Sequence, residues 1–183
     1  MSEGSLAFNP EFDPDGAEGG VDTNLLPWLP LSEVAGFSLK PLRASMESGM
    51  FSVIVRLEKG TVLERLLSLS GMDLLVLSGA LDYADDSGES HLEPGIWGYL
   101  SANTCMQRLT AAEESELLVN CYGAFAMLSP GNQVDRLVTS ADIRQMALQA
   151  GISMVPNTLA ECMVEREPYT GDGEPLAIAG KKS

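Results

Sequence analysis

The sequence predicts an all-β domain, a sandwich or a barrel, with one short helix near its C-terminal end. Short apolar segments recur about every 8–12 residues with turn sequences between them, which is the strand spacing of such folds. Residues 139–151 carry the single strong helical pattern. With 183 residues, 45% of them hydrophobic, the chain is long enough for one domain with a buried core.

The clearest strand is the segment MFSVIVRLEKG. Apolar and polar side chains alternate along it, which is typical of a half-buried strand, and the Lys-Gly pair ends it in a turn. The apolar face is predicted to consist of Phe51, Val53, Val55 and Leu57.

Further strands are predicted downstream. The run MDLLVLSGALDY is more continuously apolar and predicts a strand kinked at Gly79. DDSGES predicts a hairpin turn, LEPGIWGYLSANT another turn and strand, and SELLVNCYGAFAML one or two more strands.

The predicted helix is TSADIRQMALQAG. Thr139 or Ser140 can cap its start, Asp142 lies in the first turn, and Gly151 stands where a left-handed stop is favoured. We expect it to pack on the outside of the β-domain or against a partner subunit. Its apolar face is predicted to comprise Ile143, Met146, Ala147 and Ala150.

Composition excludes several classes of partner. A net charge of −15 repels phosphate backbones, and no basic cluster offsets it, so neither nucleic acid nor an anionic membrane is an expected partner. No apolar run reaches the ~18 residues of a membrane span, and the N-terminus lacks the pattern of a secretory signal. We therefore expect a cytoplasmic protein. Cys105, Cys121 and Cys162 are odd in number and widely spaced, which predicts buried free thiols rather than a disulfide framework or a zinc site.

Two glycine-bounded segments have the spacing of the two motifs of cupins. The first runs from Gly60 over five residues to Leu66-x-Ser68, then three residues, Met72, six residues and Gly79. The second runs from Gly95 over five residues to Ser101-x-Asn103, then two residues, Met106, three residues and Thr110. Within the cupins, the segments PWLPLSEVAGFSLKPLR, VLSGAL and GIWGYLSANT resemble the ChrR-like and acetylacetone-cleaving-enzyme-like group.

This resemblance implies a single double-stranded β-barrel, or jelly roll. It covers about residues 25–130, which are predicted to form the barrel. Composition, rich in Gly, Asp, Glu and Pro, predicts a flexible acidic arm at 1–24, and residues 131–183 are predicted to hold the C-terminal helix and a loose tail. ChrR itself is an anti-sigma factor with a zinc-binding domain ahead of its cupin. That role is not carried over, because residues 1–24 contain neither His nor Cys.

In metal-dependent cupins, three histidines and a glutamate hold a divalent ion, and here all four positions are substituted. Leucine has no donor atom, a neutral hydroxyl is a poor ligand, and thioether sulfur is soft and weakly basic. The sequence therefore predicts no iron, zinc or manganese site and no cofactor. The four positions are Leu66, Ser68, Met72 and Met106.

The sequence gives little support for other catalytic or metal-binding sites. His91 is the single histidine and is expected on the surface. A soft Cu(I) site of Met72, Met106 and Cys105 is disfavoured, because Cys105 and Met106 are adjacent on a strand and face opposite ways. No G-x-S-x-G elbow is present around Ser68.

The remaining charged residues of these segments are predicted to be solvated. Asp73 alternates away from Met72 and is expected to face outward. Glu64 and Arg65 are predicted to form a solvated rim, and the acidic run 113–116 a charged turn.

The sequence thus predicts a metal-free, non-catalytic cupin, with no catalytic residue, acting as a small apolar-ligand-binding or regulatory, dimerising module. A homodimer is expected. The alternative is a divergent dioxygenase- or isomerase-like enzyme acting on a small carbonyl compound. The predicted pocket is the degenerate metal site Leu66, Ser68, Met72 and Met106, with Leu74, Val76, Tyr83, Trp97 and Tyr99 as further lining.

Overall fold

The computed structural model describes residues 22–46, 48–85 and 88–152, which form two six-stranded β-sheets facing each other. The elements are β1 Leu29–Pro30, β2 Phe37–Ala44, β3 Phe51–Leu57, β4 Val62–Ser68, β5 Met72–Ser78, β6 Leu81–Asp85, β7 Gly88–Leu92, β8 Trp97–Leu100, β9 Thr104–Ala111, β10 Ser115–Cys121, β11 Phe125–Leu128, β12 Val134–Val138 and α1 Ser140–Gln149.

The strand order confirms the predicted jelly roll. The first sheet is β1-β2-β3-β10-β5-β8, the second is β12-β11-β4-β9-β6-β7, and the paired strands are antiparallel. From β3 to β6 the chain crosses between the two sheets three times, once at each connection. Each sheet therefore contributes one apolar face to a shared core.

The alternation predicted for β3 is confirmed. Its apolar side chains are buried at every second position, and Leu57 has no exposed surface. β3 lies between β2 and β10 in the first sheet, so its inward face meets the second sheet on the other side of the core.

Gly79 does not kink one strand, as the sequence had suggested, but separates two strands that belong to opposite sheets. Its φ of +82° lies in the left-handed region. The backbone N–H of Ala80 then donates to Ser115 Oγ at 3.0 Å, which ties the corner to the start of β10. A Cβ added at Gly79 would lie 2.3 Å from the carbonyl oxygen of Glu114, so this corner has room for glycine alone.

Beyond residue 130 the barrel continues where the sequence predicted a helix and a loose tail. SELLVNCYGAFAML forms the two strands β10 and β11, and β12 then pairs with β11. The pattern missed β12 because its apolar residues, Val134, Leu137 and Val138, do not alternate, and Val134 and Leu137 are exposed.

α1 begins with the predicted cap at Thr139. The N–H of Asp142 donates to Thr139 Oγ1 at 3.3 Å, and the Thr139 N–H donates to the Asp142 carboxylate at 2.8 Å, which completes a capping box. The helix packs on β2, with Ile143 and Ala147 buried. Ala150 is exposed at the C-cap, so the prediction that it lies on the apolar face is wrong.

The predicted arm lies outside the described residues except for 22–24, and of the C-terminal tail only residues up to 152 are described. Cys162 also falls outside them. Among the helical residues that are described, none forms a segment long and apolar enough to cross a membrane.

Gly79→Ala is expected to destabilise the domain by roughly 3 kcal/mol or more, because the new Cβ overlaps backbone atoms. The matched control is Gly60→Ala, since Gly60 has a similar φ of +85° and nothing within 4 Å of a built Cβ. There only the left-handed penalty of ~1–2 kcal/mol applies. Urea unfolding of both variants measures the difference, and equal losses would contradict the packing argument.

Candidate functional site

The two sheets enclose a central cavity of about 70 Å³. Its wall is built mainly from leucine, valine, phenylalanine and methionine side chains of both sheets, and Leu31 and, on α1, Ile143 add to it from outside the strands. Every lining side chain within the described residues is apolar, so these side chains offer a water inside none of the two or more polar partners that it needs. The cavity is therefore an apolar space within the core.

Three of the four positions that correspond to metal ligands converge on this cavity. Leu66 on β4 and Met106 on β9 are direct cross-strand partners, and Met72 begins β5 in the facing sheet. All three line the cavity and are at most 9% exposed. Leu74, two residues further along β5, lines it as well.

Ser68, the fourth position, is fully buried but is not among the lining residues. The backbone N–H of Gly71 donates to its Oγ at 3.0 Å, so the hydroxyl serves the turn between β4 and β5. Val76 is likewise buried without being a lining residue. Tyr83 packs against the core and is only partly buried, and it too lies outside the cavity wall.

Trp97 and Tyr99 do not line the cavity, which corrects the expectation for both. Leu100 of β8 faces the core, and the alternation of the strand then turns Tyr99 and Trp97 to the outer face. Trp97 is 62% exposed and Tyr99 is 53% exposed. Their large apolar rings suggested interior positions, but β8 is an edge strand, and its outer face is in contact with solvent.

A polar cluster that the sequence reasoning missed lies on the outer face of the first sheet. Asp73 faces away from Met72 as predicted, yet it is only 9% exposed. Its carboxylate accepts from Asn120 Nδ2 at 2.7 Å and from the Tyr122 hydroxyl at 2.5 Å. The available signal was the presence of Asp73 and Asn120 in otherwise apolar strands, where they are direct cross-strand partners.

Burial and nearby carboxylates raise the pKa of three side chains. Burial, and secondly the charge of Asp73, raises the pKa of the Cys121 thiol to about 12. The hydrogen bond to Asp73 raises the pKa of Tyr122. In the second sheet, burial, and secondly the charge of Asp85, raises the pKa of Tyr83 to about 12. All three groups are therefore protonated and uncharged at neutral pH.

The outer face of the second sheet carries charged groups in an open groove. His91 is exposed, as predicted, and its Nδ1 lies 2.7 Å from Asp82 Oδ1; this hydrogen bond raises the pKa of His91. Arg108 lies 3.6 Å from Glu89 across the same groove. The two charges within each of these exposed pairs interact with each other, and exposed ion pairs contribute little to stability.

Within the part of the chain that the structure describes, no three His, Cys, Asp or Glu side chains come together in a group that could hold a metal ion. Cys105 is half-buried, and its thiol contacts the backbone oxygen of Met106 rather than the cavity.

Comparison with known proteins agrees with this architecture. The family model described as the ChrR Cupin-like domain matches residues 17–126. The fold is similar to that of an acetylacetone dioxygenase from Acinetobacter johnsonii, with a TM-score of 0.63 and 14% identity, covering 71% of this chain and 89% of that chain. A putative acetylacetone dioxygenase from Methylibium petroleiphilum PM1 gives 0.63 at 18% identity, covering 74% of this chain and 94% of that chain.

A third structure, an RmlC-like cupin protein from Ralstonia eutropha JMP134, gives a TM-score of 0.66 at 16% identity, covering 78% of this chain and 87% of that chain. The search of curated proteins found no match. At these identities the solved structures establish a shared fold.

Stability is expected to fall as pH rises above about 9. The unfolded chain loses the Cys121 proton near its ordinary pKa of 9.0, while the folded chain keeps it up to about 12, so the native state binds more protons in this range. The slope from one such group is at most about 1.4 kcal/mol per pH unit. Urea unfolding at pH 9 to 10 should show a flatter slope in Cys121→Ala than in the parent chain. Cys105→Ala is the matched control, and identical slopes in parent and Cys121→Ala would refute this assignment.

Proposed function

This chain belongs to the ChrR Cupin-like domain family, and we propose that it is a metal-free, non-catalytic member of it. Its barrel acts as a small apolar-ligand-binding or regulatory, dimerising module. The observation that carries the proposal is the apolar cavity into which Leu66, Met72 and Met106 project.

The donor chemistry at these positions supports the absence of the family's metal. Leu66 offers no lone pair, and the two thioethers favour soft ions over the divalent ions that imidazole and carboxylate hold. The Ser68 hydroxyl already accepts a hydrogen bond from the Gly71 backbone. The residues present therefore do not fit a metal site of three histidines and a glutamate.

The size of the cavity limits what the barrel can bind. Pockets for drug-sized ligands measure roughly 300–1,000 Å³. A cavity of about 70 Å³ supports a ligand of only a few heavy atoms, and its wall offers that ligand dispersion contacts and no hydrogen bond. A scaffold function fits this geometry better than recognition of a larger metabolite.

The alternative, a divergent enzyme acting on a small carbonyl compound, requires polar groups that converge on the substrate. The polar cluster around Asp73 lies on the outer face of the sheet, on the other side from Met72 and the cavity. The geometry therefore favours the non-catalytic proposal. Turnover of a diketone or an aromatic ketone that is lost in Met106→Ala would reverse that preference.

Protein purified without a histidine tag is expected to contain substoichiometric metal by elemental mass spectrometry. Adding Fe(II) or Zn(II) should leave the melting temperature unchanged, since an ion that binds the native state at 100 times its Kd would stabilise it by about 2.7 kcal/mol. Stabilisation of the parent chain by either ion would overturn the proposal.

A fourfold variant that restores the family's ligands, L66H/S68H/M72E/M106H, is the positive control for this assay. Zn(II) should raise its melting temperature if the barrel still accommodates the donors. If the fourfold variant does not fold, the metal content and melting temperature of the parent chain still test the proposal.

Met106→Ala is expected to enlarge the cavity and to cost ~2–5 kcal/mol of unfolding free energy. Pressurised xenon, an apolar probe that enters dry cavities, should recover part of this loss. Leu148→Ala, at a position that is 47% exposed on α1, is the control and should change the unfolding free energy by less than ~0.5 kcal/mol. Equal xenon stabilisation of both variants would show that the gas does not act through the cavity.

A further inference from the structure

The outer face of β5 and β8 carries Leu75, Leu77, Trp97 and Tyr99, and Tyr122, which follows β10, reaches the same face through its hydrogen bond to Asp73. These five side chains are here called the β8 strip. Leu75 is the direct cross-strand partner of Trp97. The rings of Trp97 and Tyr99 stack at 15°, with their centroids 6.5 Å apart. Single exposed apolar side chains are ordinary, but several side by side on one strand pair indicate a contact surface.

The backbone at the open edge of β8 can also pair with an added strand. In the described part of the chain β8 pairs with β5 and has no strand on its other side. An edge strand presents N–H and C=O groups that an added strand can bind. The strip therefore offers both main-chain pairing and a row of side-chain contacts.

A carboxylate, that of Asp73, lies next to the two tyrosines of the strip. Asp73 is the cross-strand partner of Tyr99 and also holds the Tyr122 hydroxyl. Both hydrogen bonds that its carboxylate accepts, from Asn120 and Tyr122, come from neutral groups. These bonds leave the full negative charge of the carboxylate beside the rings, so the strip favours a cation.

The same sheet face already uses an aromatic ring to hold cations. The guanidinium carbon of Arg56 lies 3.9 Å from the ring centroid of Trp28, and Lys40 Nζ lies 4.4 Å from it. Within the described residues, no such cation lies over Trp97 or Tyr99, whose rings are more than half exposed. A planar guanidinium stacks well on such rings.

We propose that the β8 strip docks an extended, arginine-bearing segment of a partner protein, which adds to the β8 edge and places its guanidinium over Trp97 and Tyr99. The net charge of −15 favours a basic segment over a second, equally acidic copy of this chain as the occupant of this strip, and it leaves other faces free for dimerisation. The proposal does not depend on whether the cavity binds a metal or a ligand.

The test uses the full chain and a fluorescently labelled peptide, Thr-Val-Arg-Val-Arg-Val-Thr, whose alternate arginines share one face when it is extended. Binding is measured by fluorescence anisotropy. The same peptide with citrulline in place of arginine keeps the shape and loses the charge, and it should bind roughly 3- to 30-fold more weakly. Trp97→Ala and Tyr99→Ser should each weaken binding of the arginine peptide to a similar degree, with the melting temperature kept.

Val134→Ala is the matched control, because Val134 is 60% exposed on β12, the edge strand of the other sheet. It should leave binding unchanged. If Trp97→Ala does not fold, Asp73→Asn serves as the second variant and should reduce both the affinity for the arginine peptide and the dependence of that affinity on salt.

Two results would overturn the proposal. One is equal affinity for the arginine and citrulline peptides, which would remove the role of the cation. The other is a parent chain that sediments as a dimer, a Trp97→Ala variant that sediments as a monomer, and no peptide binding to either. That outcome would assign the β8 strip to a second copy of the chain.

Discussion

The structure depends on one packing constraint: the inner faces of two antiparallel sheets must meet without polar groups between them. Burying a leucine or methionine side chain stabilises a fold by about 1.5–3 kcal/mol, whereas a buried polar group without partners destabilises it. At positions 66, 72 and 106 this chain has apolar side chains that extend the core. These three side chains therefore contribute to the stability of the barrel.

Much of this fold follows from local patterns. The alternation of β3 predicted which face is buried, and the capping candidates Thr139 and Ser140, with Asp142 in the first turn, predicted where the helix begins. Recurring apolar segments with turns between them predicted the spacing of the strands. These features are local because they depend on backbone periodicity, capping hydrogen bonds and left-handed turns. They tolerate wide exchange of side chains, which is why the fold survives at 14–18% identity to solved cupins.

What the sequence did not reveal depends on contacts between distant segments. Gly79 was interpreted as a kink because the run around it is apolar on both sides, and the assignment of those sides to different sheets is a property of the whole barrel. Trp97 and Tyr99 were expected inside because aromatic rings are usually buried. The burial of Asp73 depends on Asn120 and Tyr122, which reach it only through pairing of β5 with β10. Pairing partners of this kind are not encoded in any short window of sequence.

The place of β10 in the middle of the first sheet has a consequence for biosynthesis. In the part of the chain that the structure describes, β3 and β5 are connected in the sheet only through β10. The two halves of that sheet therefore cannot form one surface until residues 115–121 pair with both of them. A growing chain on the ribosome therefore carries uncovered strand edges and apolar faces until most of the domain has been translated. Such non-local pairing slows folding and lengthens the time for which surfaces that can aggregate stay exposed.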